Sequence, residues 1–116
     1  MQYMLLIYSD EAKEPQPGSA EMGPHIQAYM SFTEEVRNAG KMVAGDALQP
    51  IATATTVRIR DGEATTTDGP FAETKEQLGG YYLLDCDSLE EAVEYAKRIP
   101  SASFGSIEIR PVMMFD

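Results

Sequence analysis

Two stretches of helical periodicity, each set between short apolar runs, constrain this chain more than any other feature. The first run, Tyr3-Met4-Leu5-Leu6-Ile7-Tyr8, is continuously apolar and reads as a strand buried on both faces. Ser9 to Gly18 holds three acids and two prolines and reads as a solvated loop. A helix follows, with Pro24 suited to its first turn, where a missing N–H costs nothing. Met22, Ile26, Tyr29, Met30, Thr33 and Val36 recur at helical spacing and predict one buried stripe. Asn38-Ala39-Gly40 supplies a glycine stop. Lys41 to Leu48 is a second strand, weakened by Gly45 and ended by Gln49-Pro50.

Thr55 to Arg60 alternates, with Val57 and Ile59 on one face and Arg58 and Arg60 on the other. Asp61-Gly62 is a strong hairpin-turn signal, and Glu63 to Thr67 is the threonine-rich return strand. Asp68-Gly69-Pro70 must break that strand. Gly80 to Cys86 is another apolar strand. Ser88 and Glu91 form a capping box before a second helix, which should bury Leu89, Ala92, Val93 and Ala96 and stop before Pro100. Ser106 to Met113 closes the chain as a strand, with Ile107 and Ile109 facing one way.

The order is β-α-β, a β-hairpin, then β-α-β, over a single domain spanning residues 1–116. The expected fold is α+β and ferredoxin-like: an antiparallel sheet with two helices on one face. The other sheet face then carries alternate residues of the strands at 3–8 and 80–84. An apolar face of that size is rarely left wet, so a homodimer is expected.

Charge narrows the partners. Nineteen acidic residues stand against nine Lys and Arg, a formal net charge of −10. Nucleic acid and anionic membrane surfaces both require clustered basic groups, so neither is expected as a partner. The single Cys86 excludes an internal disulfide and a Cys-based zinc cage, and the single His25 excludes multi-histidine metal motifs. No phosphate loop or dinucleotide fingerprint is present, so no cofactor and no metal are expected. The N-terminal apolar run is shorter than a signal-peptide core, which points to a cytoplasmic protein.

The run Asp68-Gly69-Pro70-Phe71-Ala72-Glu73-Thr74-Lys75-Glu76-Gln77-Leu78-Gly79-Gly80-Tyr81-Tyr82-Leu83 resembles the signature of the DGPF group of the YciI-like (YCII-related) family. Met1 to Tyr8, Leu48-Gln49-Pro50, Thr55 to Gly62 and Ile109-Arg110-Pro111-Val112 resemble it too, so the likeness covers effectively the whole chain. The resemblance implies a bacterial dimeric α+β barrel, with a cleft between sheet and helices. It also implies a gene often encoded beside extracytoplasmic-function sigma factors, which makes a sigma-factor-related protein a candidate partner. A YciI-like relative removes chloride from a chlorinated hydroxymuconate, and a His–Asp pair with the His inside the first helix is suggested as catalytic there. In this chain the corresponding slot falls nearer Tyr29 than His25.

Residue by residue, each candidate carries two readings. Asp68 either caps its own turn or presents a base at a cleft, and Phe71 either plugs an apolar hole or lines a ligand site. Glu73, Lys75 and Gln77 lie in a polar string that is either a solvated loop or a lid, with Gly79-Gly80 placed as a hinge. His25 in the first helical turn is expected to be neutral, as a solvated ring or a general base. Asp46 at the end of the second strand either forms a turn or takes a proton. Arg58 is either a carboxylate anchor or, with Arg60, paired to Glu108 or other acids. Tyr81 and Tyr82 must point to opposite sheet faces, one into core or interface and the other toward a pocket. Cys86 lacks basic neighbours and reads as inert. Three functions remain open: a small-molecule-binding protein tied to sigma-factor regulation, a cofactor-free lyase acting on a small acidic or aromatic-derived compound, and a protein-interaction module. In the lyase reading Asp68 and Asp46 are base or orienter, His25 the alternative base, and Arg58 or Tyr81 the anchors.

Overall fold

A computed structural model describes residues 1–115. The strands are β1 (Gln2–Ser9), β2 (Met42–Ala47), β3 (Thr55–Arg60), β4 (Glu63–Asp68), β5 (Gln77–Asp85) and β6 (Ser106–Pro111), and the helices α1 (Met22–Asn38) and α2 (Leu89–Lys97). β2, β5, β1 and β6 lie side by side in that order, every neighbour antiparallel, while β3 and β4 form a separate two-stranded sheet. Without the hairpin, this is the ferredoxin-like β-α-β-β-α-β arrangement.

The centre of the sheet is β1, which is paired on both sides. Tyr3, Leu5 and Ile7 are buried toward the helices, where they meet Phe32 and Val36 of α1, Ala92, Tyr95 and Ala96 of α2, and Ile99. Tyr82 and Leu84 of β5 join them, and Ile107 and Ile109, opposite Ile7 and Leu5, pack against the edge of this core. The alternate residues Met4, Leu6, Tyr8 and Leu83 point to the other side, which no helix among the described residues covers.

Local chemistry accounts for most boundaries. Asp61 and Gly62 both hold positive φ, 52° and 80°, as a tight two-residue hairpin requires. Ser88 Oγ accepts the Glu91 N–H at 3.2 Å, while the Glu91 carboxylate reaches back one residue further than a capping box demands, to the Asp87 N–H. Lys41 pairs with Glu91 at 3.1 Å and Arg98 with Glu35 at 2.6 Å, which ties the end of α1 to α2.

Four expectations are corrected. On α1 the buried residues are Phe32 and Val36, whereas Ile26 and Met30 are exposed and turn toward a groove. On α2 Tyr95 takes the place expected for Leu89, which is exposed. Gly79 and Gly80 are not a hinge but lie within β5. A Cβ at Gly80 would sit 2.9 Å from the Asp46 carbonyl oxygen, so glycine is required there by the close approach of β2. Finally, Arg58 does not pair with Glu108: the hairpin stands apart from β6, and the Arg58 guanidinium donates to the Phe71 carbonyl at 3.1 Å.

Gly80→Ala should therefore destabilise the chain by about 1–3 kcal/mol, the cost of forcing apart two packed strands. Urea denaturation measures this. A hinge would have given the opposite sign, because alanine then only restricts the unfolded chain.

Candidate functional site

The groove lies between α1 and the β2–β5 edge of the sheet, and its volume is about 1060 Å³. It exists because α1 carries apolar residues over more of its circumference than the core can use. Phe32 and Val36 enter the core, and Met22, Ile26 and Met30 are left to wall the groove. Gly45 and Gly80 keep the strand floor low, and the Glu11–Pro17 segment closes one end.

Three tyrosines bring hydroxyls to this space. Tyr29 Oη and Ser101 Oγ share a short hydrogen bond, and Tyr82 Oη lies 2.7 Å from Thr33 Oγ1. Burial pushes both phenols above the ordinary tyrosine range. Tyr81 lies on the opposite side of the pleat and donates to Asp46 Oδ2 at 2.8 Å, a bond that raises its pKa. The groove runs round the β2 edge, so this Asp46–Tyr81 pair stands at its lip. His25 is half-buried rather than solvated: its ring is edge-on to Tyr29, with centroids 5.1 Å apart, and tilted against Phe104.

Four carboxylates line the groove: Glu11, Glu14, Glu34 and Asp46. Glu11 accepts the Ile51 N–H at 2.8 Å and Glu14 accepts Ser9 Oγ at 2.8 Å. Among the described residues none of the four forms a salt bridge, and Arg37 is the one basic side chain in the wall besides His25. The potential in the groove is thus negative. Among the described residues no three His, Cys, Asp or Glu side chains stand close enough to share a metal ion.

Of the sequence candidates, His25, Asp46, Gln77 and Tyr81 line the groove, whereas Asp68, Arg58, Phe71, Glu73 and Lys75 do not. Asp68 ends β4 opposite Thr55, and Gly69 behind it, at φ 104°, donates its N–H to the Ala54 carbonyl and closes the hairpin base. Phe71 plugs no hole. It is 76% exposed and lines a depression of about 340 Å³ with Tyr8 and Leu78. Gln77 spends its amide on the Ala72 and Thr74 carbonyls, and Glu76 accepts Ser106 Oγ, so the polar string is pinned to itself and to β6. Glu73 and Lys75 are exposed on that segment. Cys86 is buried, and burial raises its thiol pKa. Thr33 enters the sequence reading only as part of the α1 stripe, and groove residues that sequence reasoning missed include Glu11, Glu14 and Ser101. Their only signal was polarity, which the loop and helix readings had already absorbed.

The chain matches the YCII-related domain over residues 1–116. It is 38% identical over 117 residues to an uncharacterized protein of Rhizobium meliloti (strain 1021), covering 99% of this chain and 94% of that relative. No helix among the described residues is long and apolar enough to cross a membrane.

The raised Tyr29 and Tyr82 phenols carry a pH signature. The folded state holds them neutral, so their contribution is complete below the ordinary value of 10.0 and is lost as the pH climbs through the raised folded values. Ultraviolet difference titration of the native chain against Tyr82→Phe should show the missing phenol ionising above pH 10.0. A phenol that titrates at the ordinary value would contradict the packing described.

Proposed function

The chain belongs to the YCII-related domain family, and from that premise we propose that it binds a small molecule in the α1–β2 groove of a homodimer. The observation that carries this reading is the groove itself, about 1060 Å³, with an apolar wall, three tyrosine hydroxyls and four carboxylates outside any described salt bridge. Ligand sites of about 300–1,000 Å³ with apolar walls and a few convergent polar groups are the general pattern.

The charge selects among ligands. An anion entering this groove meets four carboxylates, so a small acidic compound is disfavoured, and a neutral or cationic molecule with an aromatic or aliphatic body is favoured. The lyase reading keeps Asp46 and His25, which share the groove wall, and loses Asp68, which stands outside it. Its substrate would have to be uncharged or cationic. The homodimer is part of the same proposal: the uncovered sheet face borders the Asp46–Tyr81 lip, so a second copy on that face would complete one side of the site.

Three probes of one shape and different charge test this: phenylbutylamine, phenylbutanol and phenylbutyrate, each titrated while NMR shifts of Tyr29 and Met30 are followed. The amine and the alcohol should move these resonances, and the acid should bind weakest. Changing Glu34→Gln and Asp46→Asn together should cut the preference for amine over alcohol by about two- to fivefold, as expected for partly exposed charges. No shift with any probe, or tightest binding by the acid, would sink the reading.

A further inference from the structure

The β3–β4 hairpin has no core of its own. Val57 and Ile59 are 63% and 65% exposed, and they share one face with Ala64 and Thr66 across the ladder. Arg58 and Arg60 take the opposite face, opposite Thr65 and Glu63. An isolated two-stranded hairpin is at best marginally stable in water, so an amphipathic one with a bare apolar face needs a surface to lie on. Its own protomer does not supply one: every residue of β4, and all of β3 but Thr56, is exposed.

The shape of the chain says the same. Its extents are 48 × 46 × 18 Å, the thickness of one helix layer on one sheet. Its radius of gyration is 16.1 Å, against about 13 Å for a compact chain of similar length.

We propose that the hairpin is an arm that grips a second copy of this chain, its Val57–Ile59 face lying across the partner's uncovered sheet face. This rests on the homodimer in the proposed function and goes beyond it by naming the element that holds the two copies together. Area supports the occupant. Four strands at about 4.8 Å spacing and six residues of about 3.3 Å rise give a sheet face near 400 Å² in plan. A stable interface removes about 800 Å² of accessible surface from each partner, which a corrugated face of this plan area approaches and an added arm brings closer. A hairpin about 20 Å long is long enough to cross a sheet about 19 Å wide, and it adds about 200 Å² in plan before side-chain corrugation is counted. Two-fold symmetry then uses the arm and the face of each copy once. The arm is also continuous with its own open face, because Phe71, held by Arg58, sits beside Tyr8 and Leu78 at the end of that face.

The test is a Val57→Glu, Ile59→Glu double variant, compared with the native chain by sedimentation velocity across a dilution series. Amide exchange of β3 and β4 is followed at both ends of the series. The native chain should be a dimer with slowly exchanging hairpin amides that speed up on dilution. The variant should dissociate about tenfold or more readily, with unchanged circular dichroism, since the hairpin holds no part of the core. A native dimer with fast hairpin exchange throughout, and a variant that dimerises equally well, would overturn the arm and leave the homodimer standing. A native chain that is monomeric throughout would overturn both. Hairpin amides protected only after a different protein is added would overturn the arm as a contact between copies.

Discussion

Strand β1 is apolar on both faces, and the protomer covers one of them. Tyr3, Leu5 and Ile7 are sealed under α1 and α2, and Met4, Leu6 and Tyr8 are not. The strand cannot be displaced to an edge, because it is hydrogen-bonded to β5 on one side and β6 on the other. Two-sided hydrophobicity at the centre of a two-layer slab is the constraint from which the rest follows. It puts the helices on one side and leaves an uncovered sheet on the other. It also leaves a groove where those two halves meet, at the β2 edge.

The groove has the same origin. A helix that spanned only its core would be apolar along a narrow stripe, and α1 is apolar along a wide one. Phe32 and Val36 take one margin of that stripe, and Ile26 and Met30 take the other. Among the described residues the second margin has no protein partner, and an apolar wall beside tyrosine hydroxyls and carboxylates is the composition on which the proposed binding rests.

The element order, the hairpin turn and the helix cap were legible because each rests on local backbone chemistry: positive φ at Asp61-Gly62, the Ser88 cap, the two-residue period of β3. The phase of the α1 stripe was not legible. Periodicity locates an apolar face without saying which margin of it meets the sheet: Phe32, outside the predicted stripe, enters the core, and Met30, within it, does not. Gly80 reads in sequence both as the start of a strand and as part of a hinge, for a related reason. A glycine required by a neighbouring strand looks, in one dimension, like a glycine that permits motion, and only the 2.9 Å approach of the Asp46 carbonyl tells them apart. At the site, Asp46 and Tyr81 were both named from sequence, but their pairing across the β2–β5 ladder could not be, since it depends on register between strands 35 residues apart. Phe71 shows the converse limit, because a conspicuous aromatic in a long motif reads as a plug and lies on the surface.

The Asp46–Tyr81 hydrogen bond belongs to both halves of the molecule at once. Asp46 and Tyr81 are on the uncovered side of the pleat, and they also stand at the lip of the groove on the helix side. The bond holds the Tyr81 phenol neutral to higher pH and fixes the Asp46 carboxylate against the sheet edge. A copy packed on the uncovered face would remove water from this pair, and lower local polarity strengthens both the hydrogen bond and the pull of the carboxylate on a cation. In the proposed homodimer, assembly and ligand preference would be coupled through one carboxylate: the more completely the sheet face is covered, the more strongly the groove would discriminate between charges.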